Sequence, residues 1–370
     1  MITQNKYNVI GIMSGTSMDG IDCSYVRTDG VNFVSMINEN SYEYSQNYRN
    51  KLKKIIKYIH NIKSFKKKQQ IKNFENIVTN KFIQVIKKFI KDYDIKRSSI
   101  DYIGVSGHTV LHDPKNKKTI QLGSCKEIQK ELKIKIVGNF RENDIKNSGQ
   151  GSPIGAFYHQ YILNNYSSLA AIINLGGIAN ICYSHKRELI AFDLGPANVL
   201  IDDLMHHFYK KNYDKYGTKA IKGKLDKKII DFYKKDNFFK LNYPKSLDRE
   251  YFKKYFIQLK KLKNINAIHT ASMMTIVCID LGLKLIKKKI NELIITGGGR
   301  KNLFLINVLK KQFKKKGINI VLIDNLNFNG DLLEAQAFAY LTVRSIRKLP
   351  LSLPTTTGVK KPTLGGALYK

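Results

Sequence analysis

At 370 residues the chain has room for two to three domains. Hydrophobic residues make up 43% of it, enough for large cores, which excludes a chain disordered throughout. Lys and Arg number 64 against 29 Asp and Glu, a formal charge of +35 that raises nucleic acid or an anionic surface as partner; the surplus, however, is nearly all Lys, scattered over helical stretches in a chain also crowded with Ile and Asn, which is the composition an AT-rich genome imposes.

Taken in order, residues 7–13 read as a short strand closing on a Gly/Ser-rich turn at 14–20. Strand character resumes at 21–28, Asp29-Gly30 signals a hairpin, and 31–36 form a third strand. Two helices follow, the clearer one carrying Ile71, Phe74, Ile77, Val78, Phe82, Val85, Ile86 and Phe89 at helical spacing. Strands at 101–106 and 134–138 precede a helix that Pro153 opens and that runs to about residue 165. The plan then restarts: strands at 170–175, 178–184 and 189–193, a helix after Pro196 to about 209, a polar Lys-rich stretch at 210–263, a long helix over 267–288, a strand at 292–296, a helix, a strand at 318–323 and a final helix over 332–347. The Pro/Thr/Gly-rich tail from 350 reads as ordered loop.

Three antiparallel strands with tight connections, then alternating helix and strand, thus occur twice. The expected fold class is α/β, with two duplicated domains and mixed sheets, divided near 166–169 into 1–168 and 169–370 around a cleft. Four cysteines (Cys23, Cys125, Cys182, Cys278) form no CxxC and no cluster at zinc spacing, so a reduced, cytoplasmic protein is expected. Residues 1–6 lack the apolar stretch of a signal peptide, and the apolar window 270–286 holds Asp280, reading as a buried helix and not a membrane span.

Gly15-Thr16-Ser17-Met18-Asp19-Gly20 joins two strands; glycines let backbone N–H groups approach an anion, two hydroxyls add donors, and Asp19 is the nearest carboxylate for Mg²⁺. The loop is not a Walker A sequence and opens no helix, so an ordinary hairpin turn stays an equal alternative on this loop alone. The second copy offers Gly176-Gly177 and Phe192-Asp193-Leu194-Gly195-Pro196-Ala197-Asn198. Asp193, expected at a strand end before a helix, suits a general base or a helix N-cap. Gly297-Gly298-Gly299 lets the chain pass beside a flat base or ribose, or simply turns from strand to helix. Gly149-Gln150-Gly151 is a partial dinucleotide fingerprint, and His108 and His112 are sugar- or proton-contact candidates, though a satisfied structural His is the commoner case. No GxSxG occurs, so a Ser/His hydrolase lacks its elbow.

Together these motifs resemble the anhydro-N-acetylmuramic acid kinase family. The matching stretches are 11–20, Gly107-His108-Thr109 to His112, Val137 to Arg141, Gly149 to Gly151, Asn174 to Asn180, Phe192 to Asn198, Lys245 to Arg249, Thr296 to Gly299, Glu334 to Ala339 and Thr357-Gly358. The resemblance implies two actin-like (ribonuclease H-like) domains flanking an ATP/substrate cleft, and conversion of 1,6-anhydro-N-acetylmuramic acid, ATP and water to N-acetylmuramic acid 6-phosphate in peptidoglycan recycling. It implies Asp193 as the base that activates water and Gly15, Thr16, Ser17, Met18, Asp19, Gly20, Ile21 and Asp22 as the phosphate stretch. Gly176, Gly177 and Gly297 to Gly299 join them as ATP contacts, with His108, Arg141 and Glu334 on the sugar and Mg²⁺ near Asp19. The implied partners are the sugar and ATP, with no specific nucleic acid and no membrane; a homodimer stays open. Three positions depart from the family pattern: Asn139 stands where Asp is expected, Leu194 where Thr is, and Ser148 where Gly is. The competing readings are another small-molecule kinase on this scaffold, a nucleotide-switched binding protein, and, from charge alone, a nucleic-acid binder.

Overall fold

The computed structural model describes residues 5–15, 18–61, 68–113, 116–167, 169–186 and 188–370. The chain opens with β1 (Tyr7–Ser14), β2 (Gly20–Thr28) and β3 (Val34–Glu43), each antiparallel to the next. The β2–β3 turn is built by Asp29, whose Oδ1 accepts the N–H groups of Val31, Asn32 and Phe33 at 2.8, 2.9 and 3.0 Å. Those residues are spent on the turn, so β3 starts at Val34 and not at the expected residue 31.

Helices α1 (Gln46–Asn61) and α2 (Lys68–Asp92) follow. α2 buries Val78, Phe82, Val85, Ile86 and Phe89, the stripe its spacing predicts. Next come β4 (Tyr102–Asp113), β5 (Lys118–Leu122), α3 (Cys125–Leu132), β6 (Ile136–Gly138), α4 (Glu142–Lys146) and α5 (Ala156–Tyr166). The sequence pattern did not predict β5 or α3. Both are short and Lys-bearing, and α3 is held by its cap, with Ser124 Oγ accepting the Glu127 N–H.

The second run contains β7 (Ala170–Leu175), β8 (Ile178–His185), β9 (Glu188–Pro196), α6 (Asn198–Tyr209), α7 (Lys227–Lys234), α8 (Lys253–Leu259), α9 (Asn264–Leu283), β10 (Glu292–Thr296), α10 (Leu303–Lys314) and β11 (Asn319–Leu322). α9 is long and apolar enough to span a membrane by length and composition, yet Ala267, Ile268, Met274, Ile276 and Ile279 are fully buried in the protein core. α11 (Leu333–Ile346) and β12 (Ala367–Tyr369) complete the chain.

The duplication is explicit in the sheets. One has the order β12-β6-β4-β1-β2-β3, with β5 on β4, and the other β11-β10-β7-β8-β9. In each, a three-stranded meander carries two parallel strands beside its first strand: β4 then β6 in one, β10 then β11 in the other. This repeated mixed sheet is the duplicated actin-like, α/β architecture that the sequence resemblance implies.

The chain separates into two compact units, 1–161 with 332–370 and 162–331. The division expected at 168/169 therefore differs in two ways. The break falls inside α5, between 161 and 162, and the last helix and tail return to the first unit. (Ser168 itself lies outside the described residues.) The cause is a pair of glycines: Gly11 on β1 and Gly104 on β4 are register partners. A Cβ on Gly11 would stand 1.9 Å from the Ala335 carbonyl oxygen, and one on Gly104 2.1 Å from Thr342 Oγ1. α11 thus lies with its backbone directly on the sheet, which no larger residue permits.

Gly11→Ala is expected to destabilise the first unit by at least about 1–3 kcal/mol, because a backbone carbonyl cannot rotate out of the way as a side chain can. Urea unfolding measures it; an unchanged midpoint would mean that α11 is not seated by this contact.

Candidate active site

In the first unit, β1 delivers the chain to the 14–20 loop. Met18 turns back with φ +58° and its N–H reaches the Gly15 carbonyl at 3.1 Å. Asp19 is exposed, while its carbonyl accepts the Tyr44 N–H at 2.8 Å and Arg49 Nη2 at 3.2 Å. Gly20 passes so close to β3 that a Cβ would meet the Tyr42 carbonyl at 2.5 Å. Thr16 and Ser17 lie outside the described residues. Ile21 is fully buried and Asp22 accepts the Ser41 hydroxyl at 2.6 Å, so the Ile21 side chain belongs to the core.

Beneath the loop, Ser14 Oγ is hydrogen-bonded to Tyr44 OH at 2.7 Å and to His108 Nδ1 at 2.9 Å. His108 is completely buried, and burial pushes its imidazole down to about 4. The expectation that His108 contacts substrate therefore needs correction: β4 runs on to Asp113, carrying His108 into the interior, where it supports Ser14. His112, further along β4, reaches Thr119 Oγ1 with Nδ1 at 3.2 Å; burial first, then the Arg141 charge, push it down to about 4.

Arg141 precedes α4, and its charge acts on both His112 and Glu334 in the first turn of α11. The fold thus brings together His112, Arg141 and Glu334 from three distant stretches. Glu334 is exposed, but the surrounding protein raises its carboxyl above the usual range while Arg141 pulls it down. Asp144, which no sequence motif singles out, organises this corner. Its Oδ1 accepts the Gly151 N–H at 2.6 Å and its Oδ2 the Thr357 hydroxyl, joining the Gly149 to Gly151 loop to the tail. Gln150 N–H adds a bond to the Thr357 carbonyl at 2.7 Å.

The departures at Asn139 and Ser148 are both left-handed positions, φ +56° and +65°. Asn suits that conformation as Asp does, and its Nδ2 donates to Tyr369 OH at 3.1 Å. Ser at 148 costs about 1 kcal/mol where Gly costs nothing.

In the second unit the Gly176-Gly177 turn is stapled to the start of α6. The Gly177 carbonyl accepts Ala197 and Val199 N–H, and Gly176 accepts Asn198 N–H, each at 3.0 Å. Asn198 Nδ2 adds bonds to the Leu175 and Gly176 carbonyls at 2.9 and 2.8 Å. The Gly triplet packs against the same turn: a Cβ on Gly297 would meet Asn174 Oδ1 at 2.3 Å, and one on Gly299 would meet Leu175 Cβ at 2.6 Å. Gly177 and Gly298 instead have no described atom within 4 Å of a Cβ position, so ligand can approach their backbone. Arg300 is spent on structure, binding Asp324 through Nε at 2.7 Å and Nη2 at 3.1 Å, and reaching Asp331 and the Gly297 carbonyl through Nη1 at 2.8 and 3.2 Å.

Asp193 sits within β9, not at its end, and the α6 N-cap is Ala197, so the N-cap alternative is excluded. Asn180 pairs with Asp193 while Ala179 pairs with Gly195, leaving Leu194 as the extra residue of a β-bulge. Leu194 points into the core against Gly282 of α9, so the hydroxyl missing at this position is replaced by packing. Asp193 is 5% exposed, its Oδ2 accepts the Leu247 N–H at 2.8 Å, and its own N–H donates to the Lys245 carbonyl at 2.9 Å.

Among the described residues no group of three or more His, Cys, Asp or Glu could hold a metal ion. A resident metal therefore has no ready-made ligand cluster among the described residues. Mg²⁺ bound together with nucleotide phosphates takes only one or two carboxylates, and Asp19 is an exposed carboxylate on the 14–20 loop.

The family model of anhydro-N-acetylmuramic acid kinase matches residues 7–370. The kinase of that name from Pelagibacter ubique is 35% identical over 98% of each chain. Those from Brucella canis and Zymomonas mobilis are 34% and 33% identical, over 96% and 97% of this chain and 97% and 99% of theirs. The Acidaminococcus fermentans (R)-2-hydroxyglutaryl-CoA dehydratase component A shows a loose likeness, TM-score 0.47 at 11% identity over 91% of this chain and 99% of its own, which bears no functional argument. The duplicated mixed sheets and the family match define a sugar kinase. The chain belongs to the anhydro-N-acetylmuramic acid kinase family.

The neutral His108 makes a stability prediction. Its folded pKa lies below the ordinary value, so the unfolded chain binds more protons between pH 6.5 and about 4. Its contribution is complete above about pH 6.5 and is lost as pH falls through that window. The urea midpoint should drop on acidification, and His108→Gln should flatten the dependence by up to one proton; an unchanged slope would show that His108 is already protonated in the fold.

Proposed function

We propose that this kinase uses ATP and water to convert 1,6-anhydro-N-acetylmuramic acid to N-acetylmuramic acid 6-phosphate, opening the anhydro bond as it phosphorylates, within peptidoglycan recycling. The observation that supports it most is Asp193: a nearly buried carboxylate at a bulge, oriented by a backbone N–H and matching the family's Phe-Asp-x-Gly-Pro motif. In this reading Asp193 accepts a proton from water, the water oxygen bonds to C1, the C1–O6 bond breaks, and O6 takes the γ-phosphoryl group while ADP leaves. Backbone amides of the Gly15 to Gly20 loop hold phosphate oxygens, and Asp19 would hold Mg²⁺, which when bound would supply positive charge against theirs. Gly176, Gly177 and the Gly297 to Gly299 turn serve the nucleotide. Arg141 meets the lactyl carboxylate and Glu334 the sugar, both in the corner that Asp144 braces. The reaction draws on cellular ATP, consistent with a cytoplasmic enzyme, and requires neither nucleic acid nor membrane.

The test is ADP release with the anhydro sugar in ¹⁸O-water, the product weighed promptly. One ¹⁸O at C1 and phosphate on O6 are expected; substrate-independent ADP release would overturn the reading. Asp193→Asn should lower turnover by on the order of 10²–10⁴ with ATP affinity nearly unchanged, since it removes the base but no phosphate contact. Wild-type-like turnover would remove Asp193 from the mechanism.

A further inference from the structure

Lysine is this chain's commonest surface charge, yet among the described residues Lys245 is the one lysine that is buried, at 5% exposure. Among the described residues no carboxylate pairs with it. Its Nζ donates to the carbonyls of Phe238 and Leu241, each at 3.0 Å, and lies 4.4 Å from the Phe238 ring centre and 5.9 Å from that of Phe192. The thiol of Cys278 also faces it, from α9. Burying an ammonium without a carboxylate costs stability. Desolvation accordingly pushes this lysine down to about 8, with Cys278 opposing.

The same segment grips Asp193 on two sides. The Lys245 carbonyl accepts the Asp193 N–H at 2.9 Å, and two residues on, the Leu247 N–H donates to Asp193 Oδ2 at 2.8 Å. The segment has no strand or helix of its own to fix it. What anchors it is the Lys245 side chain, which ties it to the 237–241 turn; that turn is in turn capped by Asp236, whose Oδ1 accepts the Phe238 N–H at 2.8 Å.

We propose that Lys245 is a positioning residue for the reaction: its buried ammonium locks residues 245–247 so that the Leu247 N–H holds the Asp193 carboxylate in its working orientation. The inference rests on Asp193 acting as the base. It also accounts for a lysine that the fold would otherwise be better without, since an apolar side chain could fill the space and a carboxylate partner is not supplied.

The test compares native enzyme with Lys245→Met, which keeps length and removes the donors. Hydrogen exchange at the Leu247 amide should speed up at least tenfold, while core amides of β7 and β10 stay protected. Turnover number should fall about tenfold or more with the KM for ATP within about threefold. The acid limb of the kcat profile should move to higher pH, because a carboxylate deprived of an N–H donor is less stable ionised. A merely destabilised protein would show none of that limb shift. If the Met variant does not fold, Lys245→Gln keeps an amide donor group without the charge and should give the same changes at smaller size. Native Leu247 protection with native kcat and acid limb in a folded variant would overturn the proposal. Asp193→Asn separates the two claims: added to it, Lys245→Met should lower turnover no further. Full turnover in Asp193→Asn alone would sink the base assignment, while the Leu247 exchange result would still decide whether Lys245 holds the segment.

Discussion

The contact between α11 and the glycine pair Gly11 and Gly104 organises the first unit. Two adjacent parallel strands lack side chains at matched positions, and a helix backbone occupies the space. The consequence is topological, because the chain must return from the second unit to complete the first. It is also chemical. Gly11 leads directly to the 14–20 loop, and Ala335, the residue it touches, follows Glu334. One packing requirement therefore sets the place of a sugar-contact candidate relative to the loop. Further buried bonds secure the arrangement: Gln336 joins Tyr158 OH at 2.9 Å and Glu39 at 2.6 Å, tying α11 to α5 and β3.

The second unit uses different means to the same end. Its Gly-rich turns lean on one another and on Asn198, so contacts within the protein hold their backbones in place. Rigidity matters for phosphoryl transfer, where catalysis is chiefly positioning and charge neutralisation. Arg300 illustrates the cost of inferring roles from residue type. An arginine next to a glycine triplet invites assignment to phosphate, but two aspartates and a carbonyl occupy its donors. It is a brace for the triplet.

The large positive charge finds no comparable organisation. Ion pairs such as Lys88–Asp92 and Lys146–Glu142 are exposed i,i+4 pairs on helices, screened by solvent and adding little to stability. The lysines that matter to the site argument are few. Lys245 is set apart because it is buried, a distinction invisible in a composition count.

The sequence by itself determined the duplicated α/β plan, since hydrophobic alternation and helical spacing are local properties of the chain. It also marked the glycine-rich loops and Asp193 as candidates, because their residue types are local properties of the chain. The tertiary structure alone decided the rest. His108 belonged on paper to the sugar, and the length of β4 took it into the interior beneath Ser14. Asp193 looked like a strand end, and the bulge at Leu194 kept it inside β9. Asp144, Asn198 and Lys245 act through partners that local pattern cannot pair with them. The final helix read as part of the second domain because it follows it in the chain. Which sheet a helix joins is fixed by where its backbone can approach closely, and here that was set by two glycines more than two hundred positions away.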